Sequence, residues 1–210
     1  MYDVLAYWKP VYKYVRIKWN ASPEDAEDLT QEFFARALEK HFFDSYEPDK
    51  GSFRTYLRIC LDRFVLNGRE SARRIKRGGN STLFSLDFRA AEGELRDHLP
   101  QTGESIEDYF HKEWIRSLMG LSVEALRQNC AAGNKQVHFQ IFERYDLNSD
   151  EVSVSYDQLA REFSLSSIQV TNFLAAARRE FRRIVLDKLR EMTADEAEFR
   201  REARALLGVK

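Results

Sequence analysis

From Ser22 to Lys40 the chain reads SPEDAEDLTQEFFARALEK, a run whose every local signal is helical. Ser22 suits an N-cap, Pro23 the first helical position, and acids fill the first turn, where the helix dipole favours negative charge. Ala26, Leu29, Phe33 and Ala37 recur on one face. Asp25, Asp28, Glu32 and Glu39, joined by Arg36, take the opposite one. Helical patterning continues through most of the sequence. EPDKGS (47–52) is a turn signal, and a second helix opens near Phe53 and runs past Arg69. Gly78-Gly79-Asn80-Ser81 breaks it, and an acidic, poorly periodic stretch to about Glu107 reads as a linker. A further helical block runs from near Ile106 to about Met192, interrupted at 131–134 and 146–153. Thr193-x-x-Glu196 is a capping box for a short last helix with Phe199, Ala203, Leu206 and Leu207 along one stripe. The expected fold is all-α. Two small helical domains, 1–79 and 112–192, are joined by the acidic linker 80–111 and followed by a helical extension, 193–210.

Composition narrows the function. Aromatic residues make up 13% of the 210, too many for a disordered tail, and Gly 9 with Pro 4 excludes collagen-like sequence. No apolar run approaches the roughly 20 residues that span a bilayer, and the opening MYDVLAYWKPVYKYVRIKW is not a signal peptide, so a cytoplasmic location is expected. Cys60 and Cys130 cannot build a disulfide framework or a four-ligand zinc site, and His41, His98, His111 and His138 are scattered. Nothing resembles a nucleophile elbow, a P-loop or a zinc motif. The expectation is a protein without catalytic residues, metal or cofactor.

The formal net charge is -1, but it is unevenly distributed. Residues 51–79 carry 8 basic and 2 acidic groups, and residues 155–190 carry 7 and 4. Residues 1–50 carry 7 and 10, and residues 80–111 carry 2 and 7. Two basic blocks set among acidic ones suggest local contacts with a polyanion.

Tyr156 to Val185 is the most patterned segment. Leu159, Ala160 and Phe163 form the buried face of one helix, Ser164-Leu165-Ser166 a short turn, and Ser166-x-x-Gln169 a capping box for a second helix with the stripe Val170, Leu174, Ala177 and Phe181. Ser167, Gln169, Thr171 and Asn172 are left facing outward near the N-terminal end, from which a recognition helix reaches base edges. Arg178, Arg179, Arg182 and Arg183 follow, suited to phosphates. The alternative is an ordinary helical hairpin with a solvated basic face. Likewise, Phe53 to Arg77 interleaves Phe53, Tyr56 and Phe64 with Arg54, Arg58, Arg63, Arg73, Arg74, Lys76 and Arg77. Cations there can track phosphates while rings stack on unpaired bases, or the aromatics are core and only the arginines face outward.

The order of these pieces resembles bacterial RNA polymerase sigma factors of the extracytoplasmic-function (ECF) type, in the sigma-70 family. EDAEDLTQEFF (24–34) is similar to the polymerase-binding helix of region 2, FRTYL (53–57) with the following basic helix to the melting and minus-ten-reading segment, and 156–183 to region 4. The resemblance, over about residues 5–190, implies a sigma factor with core RNA polymerase and promoter DNA as partners. Asp25, Asp28, Gln31 and Glu32 would meet a basic coiled coil on the polymerase's largest subunit. The loop around Tyr46 to Ser52, including Lys50, would hold a base flipped from the non-template strand. Phe53, Arg54, Tyr56, Arg58, Arg63, Asn67, Arg73 and Arg74 would line the same DNA. Ser167, Gln169, Thr171, Asn172 and Phe173, with Arg178, Arg179 and Arg182, would meet the minus-thirty-five element. Relatives are held by an anti-sigma protein or controlled through protein kinases, which implies a regulatory partner of one of these kinds. A helix-turn-helix regulator acting on duplex DNA without polymerase is the alternative. The chain departs from the family pattern where Trp is usual (Tyr56), where Asn is common (Arg63), at the turn's Gly (Ser164), and at Phe173, where many relatives carry a DNA-contacting Arg. Phe173 either faces DNA or packs inward. The extension after Met192 is an autoregulatory or docking helix or, as expected here, packs onto the fourth region.

Overall fold

A computed structural model of the chain describes residues 4–72, 86–148 and 154–208. All regular structure among them is helical, as the patterning implies. The chain forms two compact units, Met1–Ser117 with Glu191–Lys210, and Leu118–Arg190.

In the first unit α1 (Val4–Lys18) is buried on more than one face, through Ala6, Tyr7, Trp8, Val11, Tyr12, Tyr14 and Val15. It packs against α2 (Pro23–Glu39) and α4 (Phe88–Asp97). Tyr7 meets Phe53 of α3 (Phe53–Ala72) edge-on at 5.3 Å, and Tyr14 meets Phe110 of α5 (Ile106–Ala132) at 5.5 Å. α2 starts where its sequence places it. The Ser22 hydroxyl accepts from the Asp25 N–H at 3.1 Å, and Ala26, Phe33 and Ala37 are buried, with Leu29 half-buried. Between α2 and α3 lie two 3₁₀ turns, Phe42–Ser45 and Pro48–Lys50.

The stretch read as a poorly periodic linker is helical over Phe88–Asp97, and its expected end at 111 falls inside α5. Phe88, Ala91 and Leu95 form a short buried stripe that surrounding acids hide from a periodicity reading. Those acids are paired. Arg16 grips Glu92 with contacts of 2.8 and 2.9 Å, the Tyr12 hydroxyl donates to Glu92 at 2.8 Å, and Lys9 reaches Glu94 at 2.5 Å. Lys13 lies between Glu94 (2.9 Å) and Glu113 of α5 (2.5 Å); its side chain and that of Glu113 are 2% and 1% exposed. The Arg16 hydrogen bonds hold Glu92 below the ordinary carboxylate value of 4.5. Burial pushes Glu94 up, but the bonds from Lys9 and Lys13 outweigh it and leave that carboxyl lowered too.

The last helix, α9 (Glu196–Leu207), belongs to the first unit, which corrects the expectation that it packs onto the fourth region. Its start is two residues later than expected. Asp195 caps it, accepting from the Glu198 N–H at 2.8 Å, while the Glu198 carboxylate accepts from the Ala194 N–H at 2.8 Å. The second unit comprises the end of α5, α6 (Gln136–Phe142) continued by a π-helical turn Glu143–Leu147, α7 (Tyr156–Glu162) and α8 (Ser167–Glu191). Its core contains Leu126, Phe139, Ile141, Leu159, Val170, Leu174 and Ala177.

Lys13→Met is expected to cost about 1–3 kcal/mol in urea unfolding, because Glu113 stays buried with only Arg116 as its ionic partner, and Glu113→Met in the same chain should recover most of it. A double-mutant cycle checks this. Glu92 titrates lower folded than unfolded, so its contribution is complete above pH 4.5 and is lost as pH falls through the depressed value. Glu92→Gln should therefore destabilise by about 1–3 kcal/mol near pH 7, and its difference from the parent chain in thermal melts should shrink as pH falls through the depressed value.

Candidate nucleic-acid interface

Asp25 and Asp28 are exposed on α2. Glu32, also exposed, pairs with Arg36 at 2.6 Å, and half-buried Gln31 donates to Glu27 at 3.4 Å. The polar face expected from the sequence is thus on the surface. Its apolar counterpart includes Thr30, fully buried, whose hydroxyl donates to the Ala26 carbonyl at 2.7 Å.

At the other end of α2, residues of α2, the following turn and α3 enclose a cleft of about 370 Å³. It brings together three residues singled out from the sequence, Tyr56, Arg63 and Asn67, and adds Arg36, Lys40, His41 and Phe64. Arg63 and Asn67 are exposed. Tyr56 is half-buried and donates to the Phe42 carbonyl at 2.6 Å; burial, then a hydrogen bond with Cys60, pushes its phenol up to about 12. The Arg36 guanidinium lies over the buried Phe64 ring at 5.5 Å. Arg36 and Lys40 were legible only as i,i+4 neighbours on the last turn of a helix read as acidic, so their part in the cleft escaped sequence reasoning.

The loop before α3 is tied down. Tyr46 is 9% exposed, and its hydroxyl donates to the Gly51 carbonyl at 2.8 Å and to the Glu198 carboxylate. Gly51 has φ 145° and ψ -179°, a conformation essentially confined to glycine. Phe53 is core, packed against Tyr7, Phe43 and Tyr46 at 5.2–5.4 Å, and so is not presented at the surface. Two expected DNA-facing cations are committed within the unit. Arg54 pairs with Glu202 at 2.7 Å and lies 4.1 Å over Trp114, and Arg58 pairs with Glu107 at 2.5 Å. Lys50 is exposed and pairs with Glu47 at 2.7 Å; Ser52 shares a hydrogen bond with Thr55 at 3.1 Å. Arg73 and Arg74 lie outside the described residues.

In the second unit α7 and α8 are joined by a short turn in which Ser164 adopts φ 54°. Ser166 and Gln169 cap α8 reciprocally: the Gln169 side-chain oxygen accepts from the Ser166 N–H at 2.9 Å, and the Ser166 hydroxyl accepts from the Gln169 N–H at 3.2 Å. Ser167, Gln169, Thr171 and Asn172 are exposed, with Ile168 among them at 74%. Ser167 donates to Asp157 at 2.7 Å and Thr171 to the Ser167 carbonyl at 2.9 Å. Phe173 is half-buried against the core and stacks on His138 at 4.1 Å, because it shares the helical stripe of Val170 and Ala177. Burial, then nearby Lys135, holds His138 below its ordinary 6.5. Arg178 grips Asp146 with contacts of 2.7 and 2.9 Å, while Arg179 and Arg182 are exposed and have no ion pair among the described residues.

Among the described residues no group of His, Cys, Asp and Glu is placed to hold a metal ion, and no helix is long and apolar enough to cross a membrane. Residues 4–75 match the family model described as Sigma-70 region 2. No curated protein and no solved structure matches the chain.

The left-handed Ser164 stores strain that glycine would relieve. Ser164→Gly is expected to stabilise the chain by about 0.5–1 kcal/mol without changing helix content, as read by circular dichroism during thermal unfolding.

Proposed function

We propose that the chain, whose residues 4–75 match sigma-70 region 2, is a small, dissociable sigma factor of the ECF type with a role in transcription initiation. It binds core RNA polymerase, directs promoter-specific initiation and performs no chemistry of its own. The observation that supports this most is the pairing of two opposed surfaces on one domain: outward acids at one end of α2, and an aromatic cationic cleft at the other. A regulator acting on duplex DNA alone needs neither.

Each surface suits its proposed partner on physical grounds. Asp25 and Asp28, with no ion pair among the described residues, offer negative charge to a basic coiled coil, where complementarity sets orientation and encounter rate. A cleft of about 370 Å³ with a Tyr56 wall is large enough for one unstacked base, and stacking on a ring contributes about 1–3 kcal/mol. Arg63 and Lys40 offer charge to the flanking phosphates, Arg36 less because Glu32 already pairs with it, and Asn67 offers a donor and an acceptor to a base edge. α7 and α8 act as a helix-turn-helix at the minus-thirty-five element. There the cap occupies the Gln169 oxygen, leaving Asn172 as the side chain best able to read a base bidentately. Arg179 and Arg182 serve as phosphate contacts, and Arg178 contributes less because Asp146 already neutralises it. Such a protein works in the cytoplasm, with core polymerase and promoter DNA as partners and an anti-sigma protein or kinase as regulator.

Charge reversal at Asp25 and Asp28 to Lys should weaken core-polymerase binding by at least about tenfold while leaving binding to single-stranded DNA intact. Arg63→Ala should leave core binding intact and lower promoter opening by about tenfold in permanganate footprinting. Wild-type core affinity in the first variant, or no promoter-specific initiation by the wild-type chain with core polymerase, overturns the proposal.

A further inference from the structure

We propose that α9 is a displaceable acidic latch on the DNA-facing side of region 2, with the Glu202 carboxylate standing where a DNA phosphate would bind. The inference rests on the reading of α3 and its preceding loop as a DNA interface. Three contacts make the latch. Glu202 pairs with Arg54 at 2.7 Å, Glu198 accepts the Tyr46 hydroxyl, and Arg201 donates to the Pro48 carbonyl at 3.3 Å. All three partners lie in or beside the loop expected to hold a flipped base. Arg54 is 14% exposed at its side chain and Tyr46 9% exposed, so the docked helix withholds both from solvent.

The face that α9 buries argues for reversibility. Its buried residues are Glu198, Phe199 and Glu202, while Ala203, Leu206 and Leu207 of its apolar stripe are only half-buried. A helix fixed permanently in a core buries an apolar stripe, because apolar burial is a net gain. Buried ion pairs, by contrast, roughly break even against the desolvation of their charges. α9 is also only 12 residues long, too short to hold its helix well when undocked. Its hold therefore depends on Arg54 preferring Glu202 to any other anion. A polyanion brought to the same face competes directly for that guanidinium, which Trp114, stacked 4.1 Å away, keeps oriented after Glu202 leaves.

Hydrogen exchange on the full chain tests the latch, free and with a saturating 20-nucleotide single strand of random sequence. Amides of residues 196–207 should lose protection at least tenfold on DNA binding, while those of α2 do not change. DNA binding with α9 still protected overturns the latch and leaves the DNA interface standing; no DNA binding at all overturns both. Glu202→Gln supplies a second readout. Its affinity for the same strand should rise about threefold to tenfold, with the slope of log K against log salt steeper by about 0.7, the change for one added phosphate contact. Arg54→Gln in that background should abolish the gain. Unchanged affinity and slope in a folded Glu202→Gln chain overturn the latch.

Discussion

The ammonium of Lys13 sits inside the first unit, held by Glu113 of α5 and Glu94 of α4, and the arrangement of that unit depends on it. α1 carries Lys9, Lys13 and Arg16 among eight buried apolar and aromatic side chains, and a helix so charged is buried only if its charges are matched. α4 supplies the match through Glu92 and Glu94, and α5 through Glu113. Burying ion pairs adds little net stability, but a wrong packing would strand several charges at once. The network thus selects one packing of α1, α4 and α5, and α2 and α3 are laid against that frame.

The same pairing sorts the cations that a sequence count treats alike. Arg54, Arg58 and Arg178 are neutralised by Glu202, Glu107 and Asp146. Arg63, Arg179 and Arg182 remain exposed. The +6 of residues 51–79 therefore overstates the field that α3 presents while α9 is docked, and the distribution of acids along the chain is as informative as that of bases. Acids of 80–111 that look free in sequence are consumed holding helices together, Glu92 and Glu94 on α1 and Glu107 on α3.

How far each element was legible follows from how local its cause is. α2 was readable to the residue because its cap, first-turn acids and apolar stripe all lie within one segment. The Ser166–Gln169 cap was readable for the same reason. α4 was not, since its few apolar residues, Phe88, Ala90, Ala91 and Leu95, are set among charged ones in a short segment, and its packing is held by cations 76 to 85 positions away. The cleft was half readable. Tyr56, Arg63 and Asn67 lie on one helix, whereas Arg36 and Lys40 come from another and join them only through the approach of α2 to α3.

The sequence by itself determined that this chain is helical, where its strongest helices start, that its charge is divided into blocks, and that it resembles the sigma-70 family. These are properties of spacing and capping, which act over a few residues. Tertiary structure alone decided which arginines are spent on ion pairs, that Phe53 and Phe173 pack inward, and that α9 lies on the first unit. In each case the outcome depends on which distant carboxylate or ring comes within about 3–5 Å of the side chain, a distance set by packing that no local pattern encodes.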